Sequence, residues 1–190
     1  MEISILTDVG QRRTNNQDYA NQYKNKAGKS MIFLADGMGG HRAGNIASEM
    51  AVTDLGAAWV ATEISTINEV REWFAENLEK ENQQIHRIGQ DEEHKGMGTT
   101  LEALAIIDDQ VLFAHVGDSR IGLVRNGEYH QLTSDHSLVN ALLRLRKKRQ
   151  LIIRNAISSP NLLDKRMNCS RTLVWLRLKR EISLLSIVMD

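Results

Sequence analysis

An apolar run that ends in an aspartate and a burst of glycine constrains this chain most. Met31-Ile32-Phe33-Leu34-Ala35 leads directly into Asp36-Gly37-Met38-Gly39-Gly40-His41. The run reads as a short buried strand. The glycines break it, because glycine lets the backbone turn sharply and approach a neighbour or ligand closely. A carboxylate and a free backbone carbonyl at such a strand end can hold a hard divalent cation. Taken alone, an Asp-Gly pair after a strand is an ordinary turn, so the residues around it decide its meaning.

Those residues alternate between helical and strand-like patterns. Residues 3–9 and 31–36 read as strands. Residues 43–61 read as a helix, with Ala43, Ile46, Ala47, Met50, Ala51, Leu55 and Ala58 near helical spacing. Residues 67–89 read as a second helix with the stripe Ile67, Val70, Phe74, Leu78, Ile85 and Ile88; Glu69, Glu72, Glu76, Glu79 and Glu81 are assigned to its solvated side. Trp59 and Trp73 are expected to pack helix against core. Further on, Leu101, Ala103, Ala105 and Ile107 alternate, Asp108-Asp109 makes a turn, and residues 111–116 return as a strand. Residues 121–124 and 129–132 form two more, joined by Asn126-Gly127, a strong hairpin signal. The pattern alone supports an α+β chain with antiparallel sheet.

Composition narrows the class. At 190 residues the chain fits one domain with a real core. Its 24 basic and 24 acidic residues give no electrostatic pointer to nucleic acid. The single cysteine, Cys169, excludes an internal disulfide framework and suits a reducing compartment. No secretory signal and no apolar run of membrane-spanning length is visible. A soluble, cytoplasmic protein is the expectation.

Four further segments join the Asp-Gly motif in order: Arg13-Thr14-Asn15-Asn16-Gln17-Asp18, Gly98-Thr99-Thr100, Gly117-Asp118-Ser119-Arg120 and Leu132-Thr133-Ser134-Asp135-His136-Ser137. With Asp36-Gly37-Met38-Gly39-Gly40-His41 they resemble the metal-dependent Ser/Thr protein phosphatases of type 2C, in their bacterial form. The resemblance implies a four-layer αββα sandwich, two antiparallel sheets flanked by helix pairs. It also implies two manganese or magnesium ions, with a third, weaker one in bacterial relatives. A water held by the ions attacks the phosphorus of a phosphoserine or phosphothreonine. Carried over, Asp36 is the bridging carboxylate, the Gly37 carbonyl a ligand, and Gln17 and Asp18 the pair beside the same ion. Asp118 helps to hold the third ion. Arg13 grips phosphate, since a guanidinium fork matches two of its oxygens, and Arg120 braces the sheet. His41 either donates a proton to the leaving alcohol, in place of a histidine where this chain has Met38, or caps the following helix. His115 and His136 are expected to be structural, and His86 and His94 show no ligand spacing. Phosphorylated proteins and a cognate Ser/Thr kinase are the implied partners of a monomer.

The resemblance covers residues 1–143, read as the N-terminal part of the catalytic domain. Residues 144–190 read as a basic, divergent tail, and the sandwich as incomplete there. The first part carries 12 basic and 21 acidic side chains, the tail 12 basic and 3 acidic. All 13 glycines precede residue 128, and the only proline is Pro160. The Ser-Asp-Gly and Asp-Asn motifs that supply two more metal-binding aspartates in the family are absent. Asp135 belongs to the preceding motif, and Asp164 and Asp190 lack the family's context. Weak or lost hydrolysis follows, with a non-catalytic module that binds phosphoprotein or kinase as the alternative. The tail fits translation in a shifted frame. The rival is a regulatory tail attracted to acidic partners or anionic lipid, in which residues 173–188 form a loosely amphipathic helix. A frame shift predicts codons for Ser-Asp-Gly and Asp-Asn in another frame of the coding DNA; resequencing that finds them in neither alternative frame rules it out.

Overall fold

Strand β3, Ser30–Met38, is the element on which the others assemble. The computed structural model describes residues 2–11, 14–39, 43–136, 171–177 and 184–188, the last two stretches as backbone. Residues Met31 to Ala35 are each 0% exposed, so β3 is covered on both faces. Met31, Phe33 and Ala35 face a helical layer, while Ile32 and Leu34 face a second sheet. That explains an unbroken apolar run where a half-exposed strand would alternate.

Strands β2 (Asp18–Lys24) and β5 (Leu101–Ile107) flank β3, and β6 (Gln110–Val116) extends the sheet beyond β5. The two-residue strand β4, Gly98–Thr99, pairs with the end of β3 at Gly37 and Met38. The second sheet has five strands: β1 (Glu2–Asp8), β9 (Arg171–Arg177), β10 (Leu184–Val188), β7 (Arg120–Arg125) and β8 (Glu128–Gln131), in that spatial order. Every pairing in both sheets is antiparallel. Ile3, Ile121 and Leu123 of the second sheet meet Ile32, Leu34, Leu104 and Ile106 of the first. The Asn126-Gly127 turn takes the form expected for a tight hairpin, with φ of 53° and 85°.

Helices α1 (Ala43–Val60) and α2 (Ile67–Ile88) cover the outer face of the first sheet. Trp59 and Trp73 meet edge to face at 5.6 Å and pack against the sheet, as the sequence suggests. Gly56 lets α1 lie on the Tyr23 ring, which occupies the space a Cβ would need. At the start of α2, Thr66 and Glu69 form a reciprocal capping box. The described residues thus hold one helix pair and two sheets; the second helix pair of the four-layer expectation lies outside them, as does the boundary at residue 143.

Three readings change. Strand β2 carries too many polar side chains, Asp18-Tyr19-Ala20-Asn21-Gln22-Tyr23-Lys24, to announce itself by alternation. Arg171–Arg177 and Leu184–Val188 are strands, not the amphipathic helix read over 173–188. They lie between β1 and β7 and satisfy the backbone groups those strands would otherwise leave open. Glu81 is buried at 8% exposed, not on the solvated face. It follows Phe74 and Leu78 at helical spacing, so it lies on the apolar stripe despite its charge.

Burial, with Asp54 adding repulsion, pushes the Glu81 pKa up to about 7. Its proton therefore stabilises the fold fully below the ordinary carboxylate range and loses that effect as pH rises towards 7. Glu81→Gln should be more stable than the parent at pH 8 by about 1–2 kcal/mol and equal to it near pH 4. Urea unfolding at the two pH values measures this; the same difference at both would show that Glu81 is not the titrating group.

Candidate active site

Where β2 begins and β3 ends, two carboxylates come face to face: Asp18 and Asp36 are directly opposed across the antiparallel pair. Asp36 continues the row of Ile32 and Leu34, so both aspartates lie on the face between the sheets, at its open end. Like charges directly opposite each other are unfavourable in a sheet. A cation between them would turn that repulsion into attraction.

The backbone around the pair is tightly fixed. The Asp36 N–H donates to Thr100 Oγ1 at 2.9 Å, and the Asp36 carbonyl accepts from the Thr100 N–H at 2.9 Å and from Thr99 Oγ1 at 3.0 Å. The Gln17 carbonyl accepts from the Gly37 N–H at 3.0 Å and from Ser48 Oγ at 2.6 Å. Asn16 holds the entry to β2: its Oδ1 accepts from the Asp18 N–H at 3.1 Å, and its Nδ2 donates to Thr7 Oγ1 at 2.6 Å. The first turn of α1 comes so close to β3 that a Cβ on Gly37 would overlap the Gly44 carbonyl. A Cβ on Gly44 would stand 2.9 Å from the Gly37 carbonyl oxygen, so two facing glycines keep that oxygen uncrowded.

A second arm carries Asp118. Gly117 takes φ 117°, which favours glycine, and Asp118 is exposed at the tip between β6 and β7. The arm joins the first through hydroxyls, with Ser119 Oγ 2.9 Å from Thr100 Oγ1. Residues Leu132–His136 then cross beneath it. Arg120 donates from Nε and Nη2 to the two Asp135 oxygens at 3.0 and 2.8 Å. This fork holds the Asp135 carboxyl below the usual range. The Gly117 N–H donates to His136 Nδ1 at 3.3 Å, and the His136 N–H donates to the Gly117 carbonyl at 2.8 Å.

Below this arm lies Glu102, 0% exposed, whose Oε1 is 2.6 Å from His115 Nδ1. Burial, with Asp118 and Asp135 adding, pushes its pKa up to about 10. The sequence reading passed over Glu102. Its signal was an acid inside a seven-residue strand that is otherwise wholly apolar, directly opposite a histidine.

Of the residues singled out in the sequence, the structure brings Asp18, Asp36 and Gly37 together and links Asp118 to them through Thr100 and Ser119. Arg120 and His136 brace the Asp118 arm. Arg13 and His41 lie outside the described residues. Among those residues no cluster of three or more histidine, cysteine, aspartate or glutamate side chains is present.

The sequence pattern of the family described as protein phosphatase 2C matches residues 9–152. Protein phosphatase PhpP of Streptococcus pneumoniae is 76% identical over 144 residues, which are 76% of this chain and 58% of that protein. Serine/threonine phosphatase stp of Listeria welshimeri is 44% identical over 146 residues, again 76% of this chain and 58% of the relative. The chain thus spans under two thirds of the length of these curated relatives. Among solved structures, the serine/threonine phosphatase of S. agalactiae resembles this fold with a TM-score of 0.75 at 53% identity, over 98% of this chain and 73% of that one.

Thr100→Val removes the hydroxyl shared by Asp36 and Ser119 while keeping the side-chain volume. It should cost about 1–3 kcal/mol, because the Asp36 N–H loses its acceptor. Urea unfolding that leaves stability within about 0.5 kcal/mol of the parent would mean that the two arms are not joined there.

Proposed function

The chain belongs to the protein phosphatase 2C family, and from that premise we propose that it hydrolyses phosphoserine and phosphothreonine in proteins, using a water activated by manganese or magnesium. The opposed Asp18 and Asp36 carboxylates carry the reading. They and the Gly37 carbonyl offer the hard oxygen donors such ions take, and Gly44 leaves the carbonyl room. Two carboxylates and one carbonyl are few for a hard cation, so binding is weak and hydrolysis needs high metal concentrations. When bound, the ions supply Lewis-acid activation of the water and charge neutralisation at the phosphoryl oxygens.

The protein's own groups divide the remaining work. Asp36 and, from the facing strand, Asp18 would hold the ions and supply the charge that balances them. Asp118, on its separate arm, would hold a further, weaker one. Arg13 grips the phosphate, and His41 serves the leaving group or the start of α1. Residues 1–143 supply this machinery. Phosphorylated proteins are the substrates and a Ser/Thr kinase the counterpart, in a cytoplasmic monomer.

Manganese-dependent hydrolysis of a small aryl phosphate, with Asp36→Ala beside the parent, tests the proposal. The parent should turn over only with metal, and the variant should lose at least about a hundredfold in kcat. No turnover from folded parent that still binds phosphopeptide would establish a non-catalytic phosphoprotein-binding module instead.

A further inference from the structure

Glu102 and His115 have no part in the roles above, yet they lie directly beneath the arm that carries Asp118. His115 Nε2 is 3.2 Å from the Ser134 carbonyl, which can only accept, so that nitrogen carries a proton. On the other side of the ring, Nδ1 lies 2.6 Å from Oε1 of the buried Glu102, so the carboxyl and the Ser134 carbonyl hold the imidazole between them. Glu102 Oε2 has no hydrogen-bond partner among the described residues. A neutral acid tolerates that far better than a carboxylate. Beyond Ser134 the same segment reaches His136, whose ring lies 4.5 Å from that of His115 and which exchanges two hydrogen bonds with Gly117. A continuous path therefore runs from the Glu102 acid through His115 to Ser134, His136 and Gly117, next to Asp118.

We propose that Glu102 and His115 are positioning residues for Asp118: together they fix the Leu132–His136 segment, which fixes Gly117 and the aspartate beside it. The proposal rests on the reading of Asp118 as a metal-holding group. It gives the fully buried Glu102 a purpose that packing alone would serve better with an apolar side chain, as the rest of β5 does.

Three variants separate these roles. Glu102→Gln keeps a hydrogen-bonding group for His115 Nδ1, Glu102→Leu removes it, and His115→Phe keeps a flat ring against His136 but loses both hydrogen bonds. In the metal-free chain, amide hydrogen exchange at Gly117 and His136 should rise about tenfold in the last two and stay at the parent level in Glu102→Gln, as expected for the loss of one net hydrogen bond. With manganese added, the concentration that broadens the Asp118 amide resonance should rise about tenfold in the same two variants, while that for Asp18 and Asp36 stays unchanged. Parent-like exchange in His115→Phe, or equal effects of Glu102→Gln and Glu102→Leu, would overturn the proposal. If His115→Phe fails to fold, the two Glu102 variants decide. Exchange that responds as expected in a chain where manganese never broadens Asp118 supports the positioning path and overturns the metal reading of Asp118.

Discussion

The double-sided burial of β3 is the constraint on which the rest of the structure depends. A strand covered on both faces must be apolar along its whole middle, and Met31 to Ala35 meet that demand. Each fully buried side chain of this size contributes about 1.5–3 kcal/mol, so the helical layer and the second sheet are both anchored to the same few residues. The strand then leaves the core at Asp36. A charge there is held at the end of a strand buried on both faces, and its backbone is fixed by Thr99 and Thr100, while Gln17 holds the next residue, Gly37. Rigid support for the Asp36 carboxylate is thus a by-product of core packing.

The site has two arms of unlike character. Asp18 and Asp36 sit on paired strands, where their opposition is set by sheet register. Asp118 sits on a turn, where its place depends on side-chain hydrogen bonds from Ser119, Arg120 and His136. Sheet register shifts only in steps that reverse the faces, whereas a hydrogen-bonded turn yields in small increments. The first arm suits a site that must not move. The second suits a side chain whose position can be tuned.

How far the sequence revealed this varies with the physics of each part. β3, the two helices and the Asn126-Gly127 hairpin announced themselves, because continuous apolarity, helical spacing and positive φ are local demands. Asp36, Gly37 and Asp118 were legible as motifs. Strand β2 was not, since its polar residues are held in place by pairing with β3 rather than by their own pattern. Glu81 and Glu102 were misread or passed over for a shared reason: a charge normally signals solvent, and only the three-dimensional neighbours show that an acid is buried and its pKa pushed up. The strands at 171–177 and 184–188 escaped because their place is set by strands far away in the chain.

That distance has a consequence for how the protein is made. β1 opens the chain, yet the strand it pairs with is β9, so Glu2 meets Arg177. The strands of the first sheet pair only with one another and end at Val116, so their hairpins can form from neighbouring segments while synthesis continues. Strand β1 must wait until residues 171–177 have emerged before it finds its partner. The apolar side chains of β1, Ile3, Ile5 and Leu6, therefore wait longer for their sheet partner than those of β7 wait for β8. Order of synthesis and order of assembly run in opposite directions at the two ends of one sheet.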